Sequence, residues 1–227
     1  MTEPANPRRD VLRNSVGVGL AVGTYGISFG ALAVTNGLSF QQTLALSTLT
    51  FTGGSQFAFV SVIGGGGTAI AAVISAFLLG ARNAMYGLRL APMLHVRGRR
   101  RVLAAHLTID ESTAMSLAQP DPDLARLGFW ATGAAVFLSW NLATVIGAFA
   151  AELLDDPGTF GLDAAIPAAI LALIWPQLKQ RRAIPTAVGA AVFALVLTPF
   201  LPPGIPVLLA ASVAVILAWP EPKRIAS

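Results

Sequence analysis

The apolar run from Ala69 to Leu94 is long enough to cross a bilayer, yet it carries Arg82, Asn83, Tyr86 and Arg89. About 20 helical residues span the hydrocarbon core, and a guanidinium near its centre costs at least ~2.5 kcal/mol. A chain with such a segment must fold so that Arg82 meets a polar cavity or an acidic partner. Arg82 and Arg89 are seven positions apart with Tyr86 between them, so a helix places all three on one face. Arg89 stands nearer the arginine run at 97–101 and is expected to snorkel toward that side.

Composition agrees with a membrane-embedded chain. Of 227 residues, 55% are hydrophobic and 11% charged, and the mean hydropathy is +0.69. Soluble domains carry roughly 25% charged residues, and no long polar stretch interrupts the apolar runs here. Cysteine is absent, which excludes disulfides and thiolate metal sites. The net charge of +4 sits in short basic clusters between apolar runs, where Lys and Arg report topology rather than nucleic-acid binding.

Residues 1–14 are polar and basic and read as a mobile cytoplasmic tail, 15–220 as a single transmembrane domain, and 221–227 as a second cytoplasmic tail. The Arg8, Arg9, Arg13 cluster ahead of Val16–Val34 superficially resembles a signal peptide. The run is too long and glycine-rich for that, so it reads as a retained first helix, its Gly19, Gly23 and Gly26 spaced for close helix packing. Ser39 and Gln42 have the spacing of a capping box, so a second helix is expected to begin there. The following run, Leu44–Ile63, holds Thr52, Gly53, Gly54, Ser55 and Gln56 at its centre. Two readings fit: a kinked packing helix, or an unwound segment lining a cavity, the one place where broken backbone is tolerated at membrane depth.

Topology bears on that choice. An N-terminus and an arginine run (Arg97, Arg99–Arg101) on the same side require an even number of crossings between them, yet three apolar segments intervene. A re-entrant 44–63 segment removes the conflict. Val102–Gln119 is ambiguous as well. Thr108 to Glu111 has capping-box spacing, which predicts two half-helices; a continuous helix would instead let His106 hydrogen-bond Asp110. Asp121–Asp123 reads as a loop, Leu127–Leu154 as a span with Ser139, Trp140 and Asn141 mid-membrane, and Asp155–Gly158 as its close. Phe160–Leu178, Ile184–Leu201 and Ile205–Trp219 read as further spans, with Lys179, Arg181, Arg182, Lys223 and Arg224 marking the cytoplasm. Pro167, Pro176, Pro185 and Pro199 predict kinks. The fold class is an all-α integral membrane bundle of six to seven transmembrane helices, discontinuous or re-entrant near 53–56 and 108–111.

The polar inventory at membrane depth is small. Two histidines, His95 and His106, cannot supply a metal site, no nucleotide-binding motif occurs, and no cofactor is expected. A hydrolytic triad from Ser55, His106 and Asp110 has no supporting motif, so an enzyme is disfavoured. A carrier fits better: Thr52–Gln56 with Arg82, Asn83 and Tyr86 for a substrate, and Asp110, Glu111 and His106 as proton-coupling groups. Against these stand a permanent ion pair between Arg82 and one of the acids, and simple exposure of Asp110 and Glu111 at a helix start.

Three motifs resemble the AzlC family: Tyr25-Gly26-Ile27-Ser28-Phe29-Gly30-Ala31-Leu32-Ala33, Phe51-Thr52-Gly53-Gly54-Ser55-Gln56-Phe57, and Arg82-Asn83-Ala84-Met85-Tyr86-Gly87-Leu88-Arg89-Leu90-Ala91-Pro92. Thr108-Ile109-Asp110-Glu111-Ser112 is similar to a fourth, and the likeness covers about the first half of the chain. The resemblance implies a multi-pass plasma-membrane exporter of valine, leucine or isoleucine, driven by protons and paired with a small AzlD-type membrane subunit. Import of neutral amino acids and an ion or small-solute channel are the alternatives. The chain departs from the family pattern at Gly80, Asn83 and Arg89, where an Asn, a His and a small residue are typical.

Overall fold

A computed structural model describes residues 6–153, 171, 175, 178, 183–201 and 205–218. The expected tail at 221–227, the Asp155–Gly158 close, most of the 160–178 span, Pro167, Pro176 and the basic residues Lys179, Arg181, Arg182, Lys223 and Arg224 lie outside these residues. Every regular element described is helical. Helix α1 spans Pro7–Thr35, α2 Phe40–Leu49, α3 Gly54–Gly64 and α4 Ala69–Leu94. Then come α5 at Arg99–His106, α6 at Asp110–Leu117, α7 at Pro122–Glu152, α8 at Ala183–Leu197 and α9 at Ile205–Ala218. Three of them, α1, α4 and α7, are long and apolar enough to cross a membrane.

Local signals set the ends. Asn6 caps α1 by accepting from the Arg8 and Arg9 amides, and Pro7 occupies the first turn, where a missing N–H costs nothing. Residues 7–14, expected as tail, are therefore helical. The Asp121–Asp123 segment, expected as a loop, is the cap and first turn of α7: Asp121 Oδ1 accepts from the amides of Asp123 and Leu124 at 2.9 Å each, and Pro122 follows the cap. The capping box at the start of α2 forms as the spacing predicts. Gln42 N donates to Ser39 Oγ at 3.2 Å, and Ser39 N donates to Gln42 Oε1 at 2.9 Å.

The scaffold is the parallel pair α1–α7. Gly19 faces Ala135, Gly23 faces Ser139, Gly26 faces Trp140 and Ala143, and Gly30 faces Thr144 and Ala148. Gly147 returns the contact against Ile27, so each backbone lies directly on the other. Hydroxyls seal the seam: Thr132 Oγ1 donates to Ser15 Oγ at 2.9 Å, and Ser139 Oγ to the Gly19 carbonyl at 2.6 Å. In an apolar solvent, where burial of oily side chains gives no drive, close backbone approach and such bonds hold helices together.

The scaffold gives the chain two distinguishable ends. The N-termini of α1 and α7 lie together, and Arg126 in α7 donates through Nε to the Met93 carbonyl at 2.9 Å, bringing the C-terminus of α4 to the same end. Arg8, Arg9, Arg13, Arg97 and Arg99–Arg101 belong to this basic end. Arg89 is exposed near it.

The two short helix pairs are hairpins that enter from opposite ends. The α2–α3 pair starts beside the C-terminus of α1, and Gly64 at the end of α3 returns to touch the Asn36 side chain. The α5–α6 pair starts at the basic end. Its Leu107 packs on Gly133 and its Met115 on Gly128, so α6 runs back along α7 toward the end it came from. Helices α8 and α9 pack on one another, and α9 reaches α4.

The scaffold predicts an asymmetric response to substitution. Gly30→Val places atoms in the α7 backbone, and overpacking of this kind costs about 1–3 kcal/mol or more. We expect it to lower the thermal midpoint and broaden the size-exclusion peak of purified protein. Gly17→Ala, with open space around it, is expected to leave both unchanged.

Candidate functional site

The first hairpin breaks at Thr50–Gly53. Gly53 has φ +64 and ψ −94, a conformation that a side chain would strain, which explains a glycine immediately before α3. The Thr50 hydroxyl turns back on the Leu46 carbonyl at 2.6 Å, and Thr52 Oγ1 donates to the Thr50 carbonyl at 2.9 Å. Gln56, 1% exposed, reaches from α3 to the end of α2, its Nε2 donating to the carbonyls of Leu46 at 2.8 Å and Ser47 at 3.2 Å. It therefore closes the hairpin.

The second hairpin breaks at Leu107–Ile109. The capping box expected from Thr108 to Glu111 does not form. The break frees the Ala104 carbonyl, and Thr108 Oγ1 donates back to it at 2.7 Å, so the helix starts two residues later at Asp110. Ser112, fully buried, ties the tip instead: its Oγ accepts from Ile109 N at 3.1 Å and donates to the Leu107 carbonyl at 2.6 Å. The two-half-helix reading of 102–119 holds, and the alternative His106–Asp110 bond is absent because the break separates them. His106 lies between the rings of Phe51 and Phe137, with centroids at 5.9 and 5.6 Å.

The tips meet at Arg82. Its Nη2 binds Asp110 Oδ2 at 3.0 Å, and a Cβ on Gly54 would stand 3.5 Å from that same nitrogen. Asp110 is the first residue of α6 and Gly54 the first of α3, so one guanidinium spans the breaks of both hairpins. The bridge uses one nitrogen and one oxygen; Arg82 Nε and Asp110 Oδ1 are covered and have no hydrogen-bond partner. The two side chains remain 34% and 39% exposed, so this pair is not sealed in protein.

A cavity of about 470 Å³ opens beside the pair. Thr52, Gly53, Gly54, Arg82, Asp110 and Glu111, all singled out in the sequence, line it. Ser55 is buried behind the wall against Gly80, and Gln56, Asn83, Tyr86 and His106 stand outside the lining, Tyr86 close to Asp110. The Ser55–Gly80 contact also gives a local reason for Gly80: a Cβ there would approach Ser55 Oγ to 3.2 Å. Glu111 forms no ion pair among the described residues. Apart from Ser61, the rest of the wall is apolar and aromatic, including Val22, Tyr25, Phe51, Phe57, Val136 and Trp140. Sequence reasoning missed this aromatic floor. Its signals were available: Phe51 and Phe57 bracket the glycine pair, and Trp140 sits mid-span between Ser139 and Asn141.

Comparison with known proteins agrees with this arrangement. The family described as AzlC protein matches residues 17–154. The chain belongs to the AzlC family. The matched region contains both hairpins, the Arg82 helix, α7 and α1 from Gly17 onward. Members of the AzlC family are membrane transporters rather than enzymes, and membership supports a role in amino-acid transport at the plasma membrane. An uncharacterized membrane protein of Archaeoglobus fulgidus is 28% identical over 167 residues, covering 73% of each chain. No solved structure matches.

The geometry separates Gln56 from the pocket. Gln56→Ala removes the side-chain donor from the Ser47 carbonyl inside the first hairpin, while Leu46 keeps its bond from Thr50, a loss of about 1–3 kcal/mol. We expect a lower thermal midpoint, with ligand affinity of the remaining folded protein unchanged. A weaker affinity at unchanged stability would contradict this assignment.

Proposed function

We propose that the protein is the large subunit of a secondary active transporter that exports branched-chain or other neutral amino acids. The observation that carries this reading is the pocket itself. A largely apolar and aromatic wall adjoins a half-exposed ion pair where Arg82 of α4 meets the two hairpin tips, which matches a solute with one apolar side chain and a zwitterionic head. Arg82 is suited to the substrate carboxylate, since guanidinium–carboxylate pairs are directional and strong. Thr52, Gly53 and Gly54 offer unwound backbone beside it, in the manner of broken transporter helices. Ser55 supports the wall from behind, and Tyr86 stands beside Asp110.

Proton coupling is assigned to Glu111. Of the three groups that the sequence suggests, it faces the pocket without a cationic partner among the described residues, whereas Asp110 is held by Arg82 and His106 is enclosed by aromatic rings. A small AzlD-type subunit is the proposed partner, and the sparsely covered α4 leaves room for contacts with lipid and protein. The basic end is proposed as cytoplasmic, with both termini there, 15–220 as the transport domain and six to seven crossings in all.

Counterflow tests the reading. Liposomes carrying the chain with a co-expressed small membrane subunit, preloaded with unlabelled valine, should accumulate labelled valine above its external level. Arg82→Ala, inserted in equal amount, should reduce this to background. Flux that merely follows the gradient would contradict a carrier. Loss of folded protein in the Arg82→Ala variant would mark the ion pair as structural.

A further inference from the structure

We infer that Asp110 is an internal competitor for the substrate carboxylate, occupying Arg82 in the empty carrier and leaving it when substrate binds. The inference rests on the transport reading above and adds a role for Asp110 that the reading alone does not supply.

Three observations lead to it. First, the Arg82–Asp110 contact is half made. A guanidinium presents two parallel N–H donors to a carboxylate along its Nε–Nη edge, and a fork of two bonds is the stronger arrangement. Here Nη2 meets Oδ2 at 3.0 Å while Nε and Oδ1 are left without partners. A buried polar atom with no partner is a cost carried by this state. A free carboxylate of small size can complete the fork; Asp110, fixed at the first position of α6, does not.

Second, the bridge joins elements that have little else in common. Helix α4 is sparsely covered by the rest of the chain, and α6 is packed chiefly on α7. The ion pair is thus the main charged tie between the Arg82 helix and the second hairpin, with Tyr86 of α4 beside Asp110, and breaking it loosens one from the other. Third, the pair lies on the pocket wall with both side chains more than one-third exposed, so a solute in the cavity has access to it.

The consequence is a sequence of exchanges with charge balanced at every stage. In the empty carrier, Asp110 neutralises Arg82, so the guanidinium can be carried through the closed state without an unpaired charge at membrane depth. Substrate entering the pocket presents its carboxylate to the Nε–Nη2 edge and displaces Asp110, whose freed carboxylate pairs with the substrate ammonium, so no charge is left alone. The α5–α6 tip, no longer tied directly to Arg82, is then free to move. On substrate release, Asp110 returns.

Asp110→Asn separates the two halves of this cycle. The variant lacks the competitor, so titration of purified protein should give a several-fold lower dissociation constant for valine than the unaltered chain. It also lacks the charge that lets the empty carrier return, so in liposomes net efflux should fall to background while valine–valine counterflow persists. Asp110→Glu restores a carboxylate and should recover net efflux. Equal loss of net efflux and counterflow with weaker valine binding, in protein of unchanged thermal midpoint, would overturn the inference while leaving the transport reading intact. Absence of counterflow in the unaltered chain would overturn both. A misfolded Asp110→Asn variant beside a fully active Asp110→Ala variant would overturn the inference too, because no competitor would then be needed.

Discussion

A guanidinium in the middle of a membrane-length helix dictates the arrangement of everything around it. Arg82 cannot face lipid at tolerable cost, and no carboxylate on α4 itself is available to neutralise it. The partner must come from elsewhere, at the same depth. A carboxylate delivered by an uninterrupted neighbouring helix would bring one charge and little else. Delivered by Asp110 at the start of a half-helix, it comes with a break in the backbone, and the break on the other side, at Gly53–Gly54, completes a polar centre in an otherwise apolar bundle. The two hairpins and the Arg82 helix are therefore solutions to one electrostatic problem.

The remaining helices make that centre possible. Broken backbone at membrane depth survives only when protein encloses it, and here α7 does much of the enclosing. Its Gly133 and Gly128 seat the second hairpin, while Asn141 and Thr144 hydrogen-bond Ser47 of the first, at 2.8 and 3.2 Å. The same helix is locked to α1 through glycine and serine contacts, and Thr144 takes part in both. The result is a dense scaffold of α1 and α7 with both hairpins on it, and a loosely covered α4 carrying the charge. Such a division into a densely packed and a sparsely covered part is what the proposed carrier would use for alternating access.

Much of this was legible in the sequence, for identifiable reasons. The glycines at 19, 23 and 26 announced the α1 packing face because close approach admits no larger side chain. The first break was readable because two adjacent glycines among hydroxyl residues make a poor helix, and the charge arithmetic between Arg13 and Arg97 favours the hairpin course that α2 and α3 take. Less local facts were hidden. Gln56 looked like a binding residue by its place in a polar cluster, but hydrogen-bond demand at the end of α2 turns it inward. Thr108 looked like a cap, yet a freed carbonyl four residues earlier claims its hydroxyl. His106 and Asp110, four apart in sequence, are parted by the very break that the capping signal predicted. The aromatic floor went unread because aromatic residues in a membrane chain are ordinary, and only the tertiary fold gathers Tyr25, Phe57 and Trp140 from three helices.

Opposed entry of the two hairpins is the claim on which the polar centre depends, and the sidedness of four positions tests it. The chain has no native cysteine, so single cysteines at Gln41, Ala69, Arg97 and Pro120, all exposed, can be labelled with a membrane-impermeant thiol reagent from one side of intact cells or oriented vesicles. The account predicts that 41 and 69 react from one side, and 97 and 120 from the other. Labelling of 41 and 69 from opposite sides would make α2–α3 a crossing, and the meeting of the two tips at Arg82 would have to be abandoned.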